Sequence, residues 1–554
     1  STWVSIDIPL SHYGNAGVDL TGVNQFKTVG NGTIWLDNIY FWKDEPTWTG
    51  NTDSDWSVAG NWSPAQIPTS LADITVPSNA TINISGNKTV NSMNVSAGAS
   101  IISTGTITGN VTYTRSIGTT NWYLISSPVG SQDIDTFVAA SNLAAGGGSN
   151  VGFSSFDEAS NQWTYYQSGT SVSSNFTEGK GHSIKLASTG NISFTGTFNS
   201  SNSSISMTDS NLGYNLIGNP YLSSVSVIEL INQNSAALEE LTVWLWNQSA
   251  DAYVPKNLAA DLEVAPGQGF FVQADGAGTF QITETMQSHS SDTFQRTMSR
   301  PEMLLTLNNG EITRTAEIYY VDGATTGFDN GFDSSIFGSV DNSFAIYTRT
   351  VNGDSDNNLG IQSLPTSNYE NMVIPVGINA LAGTNISISV SPNSIPDGIE
   401  VYLEDTLEET FTLMNDENVY SNVLLNDYEG IGRYYLHTTA DNLGNDNPYS
   451  AINNITVFPT ERDGIRILNL PSGKTNIKMY DLLGKILLNT SINGGVSNNV
   501  SLPNLTTGIY VVKLITPVGT KNQKKPLKKW GNMLHSQQLE LILYYHQKKL
   551  KHNQ

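Results

Sequence analysis

The 554-residue sequence contains no cysteine, so disulfides contribute nothing and cohesion must come from apolar cores or bound ions. No stretch of about 18 apolar residues occurs, which excludes a membrane-spanning helix. Charge is sparse, at 14 % of residues, and positive charge is scarcest: 26 Lys plus Arg stand against 49 Asp plus Glu, a formal net charge of −23. Such a chain is a poor ligand for nucleic acid or an anionic membrane. The expected partner is neutral, cationic or a metal ion. Catalytic signatures are missing too. There is no G-x-S-x-G elbow, no H-E-x-x-H zinc helix and no G-x-x-x-x-G-K-[ST] phosphate loop, so this chain reads as non-catalytic.

What the sequence has in abundance is Asn, Ser, Thr and Gly. These uncharged polar residues suit turns and solvent-facing strand positions better than helix surfaces, and the fold class expected is all-β: tandem β-sandwich and short-strand modules. At roughly 150 residues per domain the length suggests about four modules. A start at Ser1 with no signal peptide is read as a processed or truncated N-terminus.

Residues 1–45 give WVSIDIPLS, TGVNQFKTV and GTIWLDNIYFWK, three strand-like alternations that look like the tail of a sandwich. Residues 46–110 form a Trp-rich short-strand module. Trp48, Trp56 and Trp62 are candidate sugar-stacking residues, against the alternative that they fill the end of a small β domain. The Ile/Val-rich segments that follow suit stacked rungs. Residues 111–285 read as a duplicated unit: NWYLISSP at Asn121–Pro128 is answered by GYNLIGNP at Gly213–Pro220. Each copy continues to a short helical pattern, a strand with a turn and an aromatic, and a Gly-x-Gly strand (EGKGHSIKL, PGQGFFVQA).

Residues 296–440 supply further strand candidates and read as a β-sandwich. Within them NGDSDNN offers Asp354, Asp356 and Asn358 as alternate oxygen ligands, and calcium is the candidate ion. Leu359 and Pro365 stand where an EF-hand needs Gly and Glu, so the competing reading is a solvated turn. FDNGFD, with Asp329 and Asp333, is a lesser candidate of the same kind. His12, His182, His289 and His437 are too scattered to suggest a shared metal.

Residues 450–518 carry Phe458-Pro459, then Tyr480-Asp481 leading to Gly484-Lys485, then Gly508-Ile509-Tyr510 before a closing strand. Gly484 and Gly508 are expected at turns other residues resist, and Tyr510 to bury its ring with the hydroxyl in water. The three elements in this order resemble the type A C-terminal sorting domain of the type IX (Por) secretion system, a small Ig-like sandwich. That resemblance implies export to the medium or the outer cell surface, with the type IX machinery as partner. Residues 519–554 hold eight Lys and Glu540 as the one acid; they read as a basic surface helix or as a read-through ending of doubtful authenticity.

The IDIPLS and LDNIYF phrases of residues 1–45 resemble the closing strands of jelly-roll carbohydrate-binding modules on secreted polysaccharide-degrading enzymes. The IGNPY phrase and the ATTGFDNGFD and VYLEDTLEETFTL segments resemble parts of large exported proteins of gliding bacteria. The E-x-D-x-x-E arrangement of laminarinase-like glycosidases is absent. The chain is therefore read as the non-catalytic C-terminal region of an exported protein serving polysaccharide binding. The rival readings are a cell-surface adhesin and the accessory part of a glycoside hydrolase whose catalytic domain lies upstream of Ser1.

Overall fold

The computed structural model describes residues 45–248, 250–260, 262–289, 300–415, 418–440, 455–460, 464–495, 497–503, 505–506, 508–517 and 519–527. Residues 1–44, which carry the jelly-roll resemblance, and 528–554, the end of the basic segment, lie outside it. The protein is all-β: among the described residues the two α-helices are Ile134–Ala140 and Val227–Asn234, and nearly everything else regular is strand. The chain divides into two compact units, residues 1–239 with 261–295, and residues 240–260 with 296–554.

The first unit begins with parallel rungs. Asp73–Val76 lies on Lys88–Ser96 and that strand on Ile107–Ile117, while Thr81–Ile84 lies on Ser100–Ser103. Period-two alternation puts like residues above one another: Ile74 stacks on Met93 and Val111, Val76 on Val95 and Tyr113, Ile82 on Ile101. All of these side chains are buried, so each rung covers the apolar face its neighbour cannot cover alone. The stack ends when Gly190–Phe198 pairs antiparallel with Ile107–Ile117.

Beyond the rungs, the strands Tyr123–Ser126 and Tyr214–Gly218 pair with Gly181–Ile184 and Gly269–Gln273 respectively. The two halves are joined reciprocally: Ser126 N–H donates to Gly267 O (2.9 Å), and Gly218 N–H donates to Gly179 O (2.8 Å). The Gly-x-Gly pattern is a packing requirement. A Cβ on Gly181 would sit 2.6 Å from Leu216 Cγ, and one on Gly269 would sit 3.0 Å from Leu124 Cβ. Buried Glu158 ties the halves further by accepting from the N–H groups of Ser210, Asn211 and Gly213. Burial pushes its pKa up, but these bonds prevail and hold it below the usual value. Both helices start at side-chain caps, Asp133 and Ser226.

In the second unit, one eleven-stranded sheet runs from Thr410–Leu413 at one edge to Tyr420–Val423 at the other. It curls so that Leu305 and Ile388 from one half share a core with Val376 and Tyr434 from the other. Pairing is antiparallel except where Thr313–Val321 runs beside Leu359–Pro365. Residues 240–260 are grouped with this unit.

The C-terminal module is a two-sheet sandwich. One sheet is Thr456–Thr460, Gly464–Leu468 and Ser497–Ser501; the other is Ile486–Asn493, Lys474–Tyr480, Gly508–Thr516 and Gly519–Leu527. The last strand extends the module past residue 518, where the sequence reading ends it. Its register with Gly508–Thr516 is continuous from Thr516↔Gly519 to Gly508↔Leu527. It is the edge strand of its sheet, a position that does not require apolar alternation.

Strand Gly464–Leu468 is buried at every position, because its two faces have different partners. Ile465 and Ile467 enter the module core. Leu468 and, from the neighbouring strand, Phe458 pack on Val373 and Tyr435 of the large sheet. Arg466, on the same face as Leu468, donates from Nη2 to Glu404. His437 Nε2 lies 2.8 Å from the other oxygen of that carboxylate. A second buried pair stands beside this one: Arg433 grips Asp405 through Nε (2.9 Å) and Nη2 (2.7 Å), the bidentate geometry that suits guanidinium to carboxylate.

Candidate functional site

The second unit contains a cavity of about 270 Å³, and the residues that build it are scattered through a hundred positions of sequence. The hairpin Thr242–Asn247 and Ala252–Asn257 supplies one wall. Its register sets Trp246 opposite Tyr253, with ring centroids 4.8 Å apart, and Tyr253 in turn lies 4.2 Å from Phe337. Gly360 and Ile361, both buried, form the floor, while Asp251 and Asp341, both exposed, stand at the rim with half-buried Asn342.

Several bonds fix the hairpin over the sheet. Thr242 Oγ1 lies 2.8 Å from Ser334 Oγ, Trp244 Nε1 donates to Ser335 O (2.9 Å), and Asn257 Nδ2 donates to Phe332 O (2.7 Å). Lys256 pairs with Glu317 at 3.1 Å. Close approach depends on Gly360, where a Cβ would sit 2.9 Å from Pro255 Cγ.

The polar character of the cavity is specific. Arg314 donates from Nη1 to Ala250 O and Thr313 O; burial draws its pKa below the usual value, with nearby Asp251 working against that. Three carboxylates, Asp251, Glu317 and Asp341, line the cavity with this single guanidinium, and Glu317 is the one paired with Lys256. Burial also pushes the Tyr253 hydroxyl far up, so it stays protonated. Aromatic rings beside carboxylates, an amide and one guanidinium suit a ligand with an apolar face and a hydroxylated edge. Sequence reasoning passed over this cavity. The available signal was WLWN followed by AYVP, which places large aromatics across a hairpin.

The residues singled out from sequence lie elsewhere. Trp48, Trp56 and Trp62 are 2 %, 1 % and 2 % exposed. Their rings pack edge to face at 5.1 and 4.8 Å, and Trp62 Nε1 donates to Trp56 O (2.9 Å). They close the end of the rung stack and offer no face to a sugar. Asp356 Oδ1 and Asn358 Oδ1 both accept from Arg349, at 3.2 and 2.9 Å, whereas Asp354 accepts from Asn352 Nδ2 at 3.1 Å. A guanidinium thus stands where Asp356 and Asn358 would hold an ion.

Asp333 is buried and accepts from the N–H groups of Asp329 (2.7 Å) and Ser363 (2.6 Å). Burial pushes its pKa up to about 7, with Asp329 and Asp354 adding to the rise. Among the described residues no three His, Cys, Asp or Glu side chains are grouped to hold a metal. His182 is stacked on Phe153 with burial drawing its pKa down to about 3, His289 meets Ser100 and Asn83, and His437 serves Glu404; His12 lies outside the described residues.

The sorting-motif residues separate into core and turn. Phe458 is buried against the large sheet, and Pro459 pairs with Ile465 in its strand. Asp481 Oδ1 accepts from Leu483 N–H and Lys485 N–H, both at 2.9 Å, closing a turn in which Gly484 has φ of +85°. Half-buried Tyr480 lies opposite Ile486 across this turn. Tyr510 is buried and its hydroxyl donates to Thr506 O (2.6 Å), so the hydroxyl has a protein partner where water was expected. Gly508 has no left-handed backbone, and a Cβ there would make ordinary contact with the Tyr510 ring at 3.6 Å. Ile509 is exposed beside it.

These features define a multi-module all-β protein that ends in a small two-sheet sandwich. The chain belongs to the family described as Domain of unknown function (DUF8693), whose model matches residues 93–258 and again 254–422, together more than half of the sequence. A second family model, Secretion system C-terminal sorting domain, matches residues 450–529. The protein therefore carries an export address for type IX secretion, which destines it for release or for the outer cell surface. Neither match is to a catalytic family. No helix among the described residues is long and apolar enough to cross a membrane. No curated protein matches the chain. A solved structure titled "Biofilm associated protein - BSP domain" aligns over 75 % of this chain and 97 % of its own at 9 % identity, with a TM-score of 0.15.

Proposed function

We propose that this chain is the non-catalytic, polysaccharide-binding part of an exported protein, and that the aromatic-walled cavity of the second unit holds one unit of a neutral glycan. The observation that carries this reading is the half-buried rings of Trp246 and Tyr253, backed by buried Phe337, beside Asp251, Asp341 and Asn342 around a single small space. A pyranose has one face of C–H groups, which packs on aromatic rings, and an equatorial edge of hydroxyls, which carboxylates and amides accept from.

Size and charge narrow the ligand. About 270 Å³ lies just below the range of roughly 300–1,000 Å³ usual for drug-sized ligands, which suits a single sugar ring. The exposed carboxylates of Asp251 and Asp341 at the rim repel uronates and sulfated sugars, whereas Glu317 is paired with Lys256. The chain outside the sorting module adds to this, since residues 1–454 hold 12 Lys plus Arg and 45 Asp plus Glu. The jelly-roll resemblance of residues 1–45 supports the same reading.

The test is calorimetric titration of the full chain with neutral oligosaccharides and with uronate oligomers, repeated on Tyr253→Ala and Asp341→Ala. Binding of a neutral glycan that falls about tenfold or more in the variants, the loss expected of a contact worth about 1.4 kcal/mol, supports the assignment. Equal binding by the variants, preference for uronates or no binding overturns it. Binding to whole cells without binding to any isolated glycan would favour the adhesin reading.

A further inference from the structure

The sorting module is a sandwich with one sheet already occupied. Phe458, Arg466 and Leu468 seat the sheet Thr456–Thr460, Gly464–Leu468, Ser497–Ser501 against the large sheet of the same unit. The face left outward is the outer face of the other sheet, and its composition is unusual in two respects.

Its first unusual feature is an apolar corner. Leu482 and Leu483, in the turn closed by Asp481, are 66 % and 96 % exposed, and Ile486 and Ile509 are each 51 % exposed. Register brings these residues together: Ile486 lies opposite Tyr480, Tyr480 lies opposite Val511, and Ile509 is two residues from Val511 on the same face. Four large aliphatic side chains gathered at one corner form a patch of the kind that marks an interaction site, in contrast to singly scattered exposed residues.

The second feature is a pair of like charges. Lys478 lies directly opposite Lys513 on this same outer face, an arrangement that destabilises a sheet. The described residues of the module contain one acid, Asp481, and its carboxylate is engaged in the turn. In sequence, residues 455–527 hold nine Lys plus Arg against three Asp plus Glu, opposite in sign to the 454 residues before them. A like-charged pair kept at a cost beside an exposed apolar corner indicates a partner that supplies negative charge and an apolar recess together.

We propose that the export machinery reads the module through this face, Leu482, Leu483, Ile486 and Ile509 entering an apolar recess while Lys478 and Lys513 meet acidic side chains of the same protein partner. The inference rests on the sorting-domain assignment and is independent of the glycan reading. It accounts for the docking of the first sheet, which fixes the orientation of the second and leaves its face uncovered by the described residues.

The experiment is export of the full chain from a host with the type IX apparatus, comparing wild type with Leu483→Asp, Lys478→Glu and, as a surface control outside the module, Leu425→Ser, which replaces a leucine that is 86 % exposed. Deletion of residues 450–529 in the same host establishes that the module is the address; export without it would refute the sorting assignment itself. Lys478→Glu is the discriminating variant, because it creates an opposite-charge pair with Lys513 and so raises the melting temperature of the purified protein. The expected result is export lowered about tenfold or more by Leu483→Asp and Lys478→Glu, as for lost interface anchors, with the control unchanged and Lys478→Glu no less stable than wild type. Export at wild-type level in both variants overturns the proposal, as does export that merely follows melting temperature. Co-sedimentation of wild type with phosphatidylglycerol vesicles that Leu483→Asp abolishes would assign the face to a lipid surface and overturn the protein partner.

Discussion

Removing either partner of the Arg466–Glu404 contact should loosen the sorting module from the large sheet without unfolding the rest of the protein. Both side chains are nearly inaccessible, at 6 % and 4 %, so neither charge is re-solvated when its partner is lost. Among the described residues, Arg466→Met leaves Glu404 with His437, and Glu404→Gln leaves a buried guanidinium whose Nε already has no partner and which keeps the ring of Tyr435 at 5.3 Å. Breaking a buried pair on one side costs about 3–5 kcal/mol, whereas replacing both members by neutral groups of similar volume is nearly free. The double variant Glu404→Gln with Arg466→Met should therefore be more stable than either single change. Residues 455–527 contain no tryptophan, so fluorescence does not report on the module. Hydrogen exchange followed by mass spectrometry of peptides from Thr456–Thr460 and Gly464–Leu468 does. The single variants should accelerate exchange there by two orders of magnitude or more, about 1.4 kcal/mol per tenfold, with little change in peptides from residues 73–117. Additive costs in the double variant, or unchanged exchange in the 456–468 peptides, would refute the view that this ion pair seats the module.

The other predictions concern the Trp cluster, the cavity floor and the acidic residues. Trp56→Ala should destabilise the first unit by about 3–5 kcal/mol, the usual cost of deleting a buried aromatic, seen as a lowered first transition in calorimetry; a change below 1 kcal/mol would mean the ring is not core. Gly360→Ala forces a methyl against Pro255 and should cost about 1–3 kcal/mol while weakening glycan binding, measured by denaturation and titration. Asp333 holds its proton more tightly folded than unfolded, its pKa standing near 7 against 3.8. It therefore contributes stability below about pH 4 that is lost as pH rises towards 7. Asp354→Asn removes one of the charges that raise it, so the variant should gain melting temperature at pH 7.5 and little at pH 4.5; equal shifts at both would sink this account. Calcium at millimolar concentration should leave the melting temperature unchanged, because Arg349 already occupies Asp356 and Asn358; a calcium-dependent rise of several degrees would contradict the geometry.

The fold class was open to sequence reading because alternation is a local property. ITVP, TINIS and NSMNVS announce buried and exposed faces residue by residue, and the rungs follow once like faces stack. The edge strand Gly519–Leu527 was closed to the same reasoning. An edge position does not require apolar alternation, the signal that a pattern search follows. The allegiance of residues 240–260 was hidden for a different reason. Their sequence fits the repeat they sit in, but several of their hydrogen bonds run to Phe332, Ser334 and Ser335, some 90 positions away, and no local signal encodes a partner at that range.

The cavity illustrates the same limit more sharply. Trp48, Trp56 and Trp62 attracted attention because they cluster in sequence among Gly, Asn and Asp, yet clustering there results from three short segments closing one end of a stack, and closure buries the rings. Trp246, Tyr253 and Phe337 are spread over 92 positions, and they come together because a hairpin crosses a strand whose Gly360 permits close approach. Whether an aromatic ring is available to a ligand depends on what fails to cover it, a property of packing that no spacing rule contains. The sorting turn shows the opposite case. Asp481, Gly484 and Lys485 lie within five residues, one side chain closes the turn, and the two leucines it carries have nowhere to be buried. There the local sequence determines the exposed surface outright, which is why the outward face of the sorting module can be argued from a single strand-turn-strand segment and the register of its neighbours.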